Sequence, residues 1–145
     1  MILYLDTSAL VKLYAEEEGS ERVRHGVRTA DLIATSLIAY AETRAALARK
    51  SRSSEVSRPA FTRCRRDFEG DWRRLNRLPI DELLVRKAAE FAEQHALRAL
   101  DALHLATADS LQTALRDTVT FACFDRRLNG AAEARGFALL TRPPV

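Results

Sequence analysis

Residues 1–14 read MILYLDTSALVKLY, and the change of pattern inside that stretch decides the fold. Ile2, Leu3, Tyr4 and Leu5 are a short run of strand formers that stops at Asp6. Thr7 or Ser8 can then cap a helix whose apolar face is Leu10, Leu13 and Tyr14. A strand feeding directly into a helix is the opening of a βα unit, and the alternation recurs downstream. Glu16 to Gly19 ends that helix, Ser20 starts a second one through Val23 and Val27, and 31–34 reads as a second buried strand. Ser36 caps a helix from Leu37 to about Lys50, with Ile38, Ala41, Ala45 and Ala48 on one face.

A polar connector at 50–58 leads to Pro59 and a helical stretch over 60–75, whose apolar points are Phe61, Phe68 and Trp72. Residues 77–80 fit only an edge strand, because Pro79 would break a central ladder. Asp81 caps a helix carrying Leu84, Ala88, Phe91 and Ala92. Residues 99–115 are apolar nearly all round, the mark of a largely buried helix. The strongest strand signal, 119–124, runs into Asp125, a last helix that stops at Gly136, and a short strand at 138–140. Strands alternating with helices predict parallel βαβ units. Right-handed crossovers then leave few topologies. The expected fold is α/β, a three-layer α/β/α sandwich with a mainly parallel central sheet. At 145 residues it is one domain, 1–145.

Hydrophobic residues at 47% and charged residues at 30% exclude a disordered or fibrous chain. The net charge of +3 says little until it is located. Residues 44–77 hold eleven basic against four acidic side chains, a local +7, which leaves −4 for the rest. The chain reads as a basic helical arm on an acidic body. Arginine outnumbers lysine 20 to 3, and its planar fork suits phosphate or carboxylate, although a GC-rich genome produces the same bias. Two cysteines are too few for a disulfide framework. No apolar run approaches the roughly 20 residues of a membrane span, and the N-terminus has no basic leader pattern. A cytoplasmic protein with no membrane partner is expected.

In open parallel sheets, chemistry sits beyond the carboxyl ends of the strands, where strand order reverses. Asp6 follows the first strand and Asp125 the 119–124 strand. Glu42 lies in the second turn of the helix entered from strand two, and Asp101 in the first turn of the buried helix. All four are therefore expected on one rim. Carboxylates that converge repel one another, and a hard divalent cation such as Mg²⁺ or Mn²⁺ offsets them. One ion can activate water and a second can stabilise a leaving oxygen in phosphodiester hydrolysis. Asp6 and Asp101 would take the first ion, with Glu42 and Asp125 available for a second.

The same residues carry a family resemblance. MILYLDTSALVKLY at 1–14, Ala39-Tyr40-Ala41-Glu42, LRALDALHLA at 97–106 and FDRRL at 124–128 together resemble a PIN-domain protein of the VapC toxin type. These blocks come in family order and span nearly the whole chain. The resemblance implies a PIN-like fold and a Mg²⁺- or Mn²⁺-dependent endoribonuclease, the toxin of a toxin–antitoxin pair. It also implies a homodimer, an RNA substrate and a small cognate antitoxin, with Asp6, Glu42, Asp101 and Asp125 as the acidic set. One departure stands out: Cys123 occupies a place where the family often has Ser or Thr, and a small buried Cys is the simpler reading.

Other residues are discounted. His104 shares a helix face with Asp101, but a hydrogen-bonded histidine at the core edge is the simpler reading. Asp109, two turns on, is a structural or peripheral acid, and for Ser8 a contact with the site from the first helical turn and a capping role explain the residue equally well. Around Phe61, Phe68 and Trp72, the residues Arg63, Arg65, Arg66, Arg73 and Arg74 are candidates for RNA or antitoxin contact, while the aromatics suit helix packing. The main rival function is a catalytically silent nucleic-acid-binding regulator of the same fold, which the presence of all four acids weakens. An aspartyl-phosphate phosphatase would need a second Asp where Ser8 stands.

Overall fold

β1 (Ile2–Leu5) is the middle strand of a five-stranded sheet, joined by β2 (Leu32–Ser36), β3 (Asn76–Leu78), β4 (Val119–Ala122) and β5 (Ala138–Leu139) in the computed structural model, which describes residues 1–141. The order is β3-β2-β1-β4-β5 and every pairing is parallel. Buried on both faces, β1 has the continuous apolar run typical of parallel sheets. Its side chains alternate. Tyr4 faces a layer made by α5 (Glu82–His95), α6 (Ala99–Leu115) and α7 (Arg126–Ala134). Leu3 and Leu5 face the layer of α1 (Thr7–Val11), α2 (Ser20–Thr29), α3 (Ala39–Arg52) and α4 (Arg58–Trp72). The architecture is the expected three-layer sandwich. Among the described residues, no helix is long and apolar enough to cross a membrane.

The chain lays down β1, β2 and β3 in one direction with α1–α4 on one face, then returns through α5 and α6 on the other face to place β4 beside β1. Strand order therefore reverses between β1 and β4, which opens a crevice beyond their carboxyl ends. Leu5 is in register with Ala122, and the Asp6 amide extends the ladder by donating to the Ala122 carbonyl at 3.1 Å.

Several local expectations are corrected. Asp6, not Thr7 or Ser8, caps α1: its carboxylate accepts from the Ala9 amide at 2.9 Å. α1 stops at Val11, and Leu13 and Tyr14 pack from the following turn. Ser36 does not start a helix, because β2 extends through it to pair with Leu78; α3 begins at Ala39, which puts Glu42 in its first turn. The edge strand ends at Leu78, before Pro79. β4 stops at Ala122, so Asp125 follows after two further residues.

The 44–77 stretch is no projecting arm. It comprises most of α3, all of α4 and the approach to β3, and α4 is built into the sandwich. Phe68 is fully buried, and with Trp72, Tyr14 and Tyr40 it forms a ring cluster with centroids 5.4–5.7 Å apart. The arginines are simply the outer face of an amphipathic helix.

Candidate active site

Asp6, Glu42, Asp101 and Asp125 line one pocket of about 480 Å³ at the carboxyl edge of the sheet. Each is delivered by a different element. Asp6 leaves β1, Glu42 projects from the first turn of α3, and Asp101 from the first turn of α6. Asp125 caps α7 by accepting from the Leu128 amide at 2.8 Å. All four therefore stand at the positive end of a helix that favours an anion: Asp6 at α1, Glu42 at α3, Asp101 at α6 and Asp125 at α7. Asp6 is nearly buried, and besides capping α1 it accepts a 2.7 Å hydrogen bond from the Ser8 hydroxyl. Ser8 Oγ in turn accepts from the Phe124 amide at 3.1 Å, so Ser8 ties the two strand ends together rather than capping a helix.

Glu42 is held by a network that runs into the core. His104, almost fully buried on α6, has Nε2 2.8 Å from Glu42 Oε1, while Nδ1 lies 2.9 Å from the Tyr4 hydroxyl. The Tyr4 hydroxyl is fully buried, and burial followed by the Asp6 charge raises its pKa well above the ordinary value, so it remains a donor. With Tyr4 donating to Nδ1, Nε2 carries a ring proton and donates to Glu42. Thr7 Oγ1 donates to the same carboxylate oxygen at 2.8 Å. Burial pushes the Glu42 carboxyl up, but the hydrogen bonds from His104 and the Thr7 hydroxyl prevail and hold it below the usual glutamate range. Glu42 is thus an oriented, ionised carboxylate.

Asp101 shows the opposite balance. Burial raises its carboxyl, Arg98 opposes this, and the charges of Asp125 and Asp6 add to the rise. Its nearest cation is weak support, since Arg98 Nε lies 3.6 Å away and its side chain is 89% exposed. Asp101 is thus pushed toward its proton chiefly by burial, with the neighbouring carboxylates adding to the effect. Among the described residues, no three His, Cys, Asp or Glu side chains already stand as a metal-holding group. Their other bonds account for that: Asp6 and Asp125 are turned onto amides, and Glu42 onto His104. The donor set itself, four carboxylates with hydroxyl neighbours, fits a hard oxygen-seeking cation rather than a soft one.

Cys123 is fully buried between the acids. Burial and then the Asp6 charge push its thiol far up, so it stays protonated, and its sulfur accepts from the Asp125 amide at 3.2 Å. Its part is to shape the turn that presents Asp125. Asp109 pairs with Lys87 at 2.6 Å and Arg135 at 3.3 Å, away from the pocket. Arg63, Arg65, Arg66, Arg73 and Arg74 are exposed on or just after α4, and none lines the acidic pocket. On its rim, Lys12 and Lys50 share Glu17 at 2.9 and 2.6 Å, joining the turn after α1 to α3.

The sequence reading missed Tyr4 and Thr7. A signal was present: a tyrosine in a buried strand and a histidine in an all-apolar helix are both polar tips that need a partner.

Residues 3–134 match the PIN domain family. Ribonuclease VapC45 of Mycobacterium tuberculosis is 35% identical over 136 residues, covering 93% of this chain and 92% of its own length. Among solved structures, the crystal structure of M. tuberculosis VapC20, described as a sarcin-ricin-loop-cleaving toxin, aligns with a TM-score of 0.66 over 97% of this chain and 99% of its own, at 17% identity. FitAcB from Neisseria gonorrhoeae aligns with a TM-score of 0.63 over 95% and 96% of the two chains, at 21% identity.

Proposed function

The chain belongs to the PIN-domain family of VapC ribonucleases, and from that membership we propose that it is a Mg²⁺- or Mn²⁺-dependent endoribonuclease acting as the toxin of a toxin–antitoxin pair. The observation that carries the reading is the pocket at the β1–β4 edge, lined by Asp6, Glu42, Asp101 and Asp125 together. Lys12, Arg49 and Lys50 also line it, the two lysines paired with Glu17, while the four carboxylates, approached at 3.6 Å by Arg98 at Asp101, make a site that attracts a divalent cation.

Asp6 and Asp101 would hold the ion, with Glu42 and Asp125 completing the acidic set or serving a second ion. When bound, the ion supplies charge neutralisation at the phosphodiester and activation of water at neutral pH. The protein's own residues do the positioning. Ser8 and the Ala9 amide fix the Asp6 carboxylate. His104 and Thr7 fix Glu42, so that it presents its ionised form to the pocket. Burial of Asp101 keeps that carboxylate poorly solvated and therefore avid for a cation. The partners in this reading are an RNA strand, a small cognate antitoxin and a second copy of the chain.

Purified protein should cut RNA with Mg²⁺ or Mn²⁺ and stop on addition of EDTA. Asp6→Asn and Asp101→Asn should each abolish cleavage with the fold intact by circular dichroism. Undiminished cutting in either variant would end this reading. RNA held without turnover by the unmodified protein would instead support the silent regulator.

A further inference from the structure

A second depression of about 680 Å³ adjoins the acidic pocket and shares with it Arg98, Asp101 and Asp125. Its remaining wall includes Arg126, Arg127 and Gly130. The two hollows therefore form one trough, acidic at one end and lined by three exposed arginines at the other.

The arginines are placed against the interest of the helices that carry them. Arg98 is the N-cap residue of α6 and makes no side-chain cap. Arg126 and Arg127 are the first two residues of α7, directly after the Asp125 cap. A helix N-terminus carries positive dipole charge, so cations there are unfavourable. Arg127 has a structural duty, donating to the Ala96 carbonyl at 3.1 Å where α5 ends. Arg126 has no hydrogen bond or ion pair among the described residues. The same nine-residue helix also contains Gly130, a poor helix former at a place where an added Cβ would meet nothing within 4 Å. Arg126 and Gly130 thus work against the stability of α7, and both line the trough beside Arg127. Two local rules broken side by side, next to two further exposed arginines, point to a ligand.

The ligand must suit both ends of the trough. A polyanion satisfies the arginines, and a phosphodiester backbone can continue from them to the four carboxylates and a cation. Arg126 and Arg127 offer forked donors to phosphate oxygens. Gly130 leaves room for the strand to lie close to the helix. Resting on the ribonuclease reading above, we propose that the trough formed by Arg98, Arg126, Arg127 and Gly130 is the binding site for the single-stranded RNA segment on one side of the phosphodiester presented to the acids. This places the RNA path at the start of α6 and α7, not on the arginine face of α4.

The test is binding of a 5′-labelled single-stranded RNA, followed by fluorescence anisotropy in EDTA across a salt series, with melting temperatures measured alongside. Arg126→Glu should weaken binding by an order of magnitude or so and flatten the slope of log affinity against log salt by at least the roughly 0.7 expected for one phosphate contact. Gly130→Leu should weaken binding by obstruction with the salt slope unchanged. Both variants should melt higher than the parent, because each replaces a residue that disfavours α7. Arg65→Glu, on the outer face of α4, should bind RNA as the parent does. Unchanged affinity and slope in Arg126→Glu and Gly130→Leu would overturn the proposal. So would lower melting temperatures in both, since the argument from helix stability would then be wrong. If RNA binding were unchanged while binding of the antitoxin fell, the trough would belong to an acidic protein segment and not to RNA. Cleavage by the parent protein with Mn²⁺ is read separately: no cleavage, with RNA binding still lost in Arg126→Glu, would overturn the ribonuclease reading and leave the trough standing.

Discussion

Tyr4→Phe removes one oxygen atom from the centre of the molecule and tests the network that orients Glu42. The ring itself loses nothing, because Tyr4 stacks on Phe121 with centroids 5.5 Å apart and planes 7° from parallel, a contact phenylalanine keeps. The loss falls on His104, which is 2% exposed and has its Nδ1 2.9 Å from the Tyr4 hydroxyl. Without that donor, Nδ1 is a buried acceptor with no partner, which costs about 1–3 kcal/mol. For a chain of this length each kcal/mol lowers the melting temperature by roughly 2–4 °C, so the expected drop is about 2–12 °C. The measurement is urea unfolding with the slope unchanged, together with imidazole ¹⁵N shifts that report which ring nitrogen carries the proton. In the parent, His104 should carry it on Nε2, toward Glu42. In the variant, the two tautomers should become more evenly mixed, and metal affinity should fall with the loss of Glu42 orientation. A melting shift under about 1 °C with an unaltered tautomer would refute the argument that Tyr4 sets the state of His104.

Three other outcomes follow from the same geometry. Phe68→Ala should cost about 3–5 kcal/mol in urea unfolding, since Phe68 is the buried centre of the ring cluster that seats α4; a cost under 1 kcal/mol would mean that α4 is peripheral after all. Asp101→Asn should be more stable than the parent at neutral pH while inactive. A carboxyl raised in the folded state destabilises the ionised fold, so the difference should shrink as pH falls through the carboxylate range, and calorimetry at several pH values checks the sign. Glu42 is lowered, so it stabilises the fold above the usual glutamate range and that contribution is lost as pH falls through its folded pKa; Glu42→Gln should flatten the acid side of the stability profile.

The sandwich was legible because parallel strands and amphipathic helices leave different periods in the chain, and because a strand that ends at an acid signals the carboxyl edge. Asp6, Glu42, Asp101 and Asp125 could be related through topology alone, each tied to the end or start of a regular element. Residues linked only through space were not legible in the same way. Tyr4, Thr7 and His104 meet across three elements, and nothing in their separate neighbourhoods says which partner each has. The charge profile misled for a related reason. Summed along the chain, 44–77 is a block of cations; folded, its apolar residues turn inward at helical spacing and its arginines outward. Ser36 was misassigned because a serine after an apolar run suits a helix cap as well as the last rung of a ladder, and the partner strand decides between them.

The position of β4 also governs when the pocket can exist. β1 is made first, yet one of its two neighbours lies more than a hundred residues later, and pairing at that range is slow to form. Asp6 and Asp125 therefore stay strangers through most of synthesis, and a growing chain that ends anywhere before β4 lacks one wall of the acidic pocket. The order of strands acts as a timer: the acidic pocket can close only after β4 has been made.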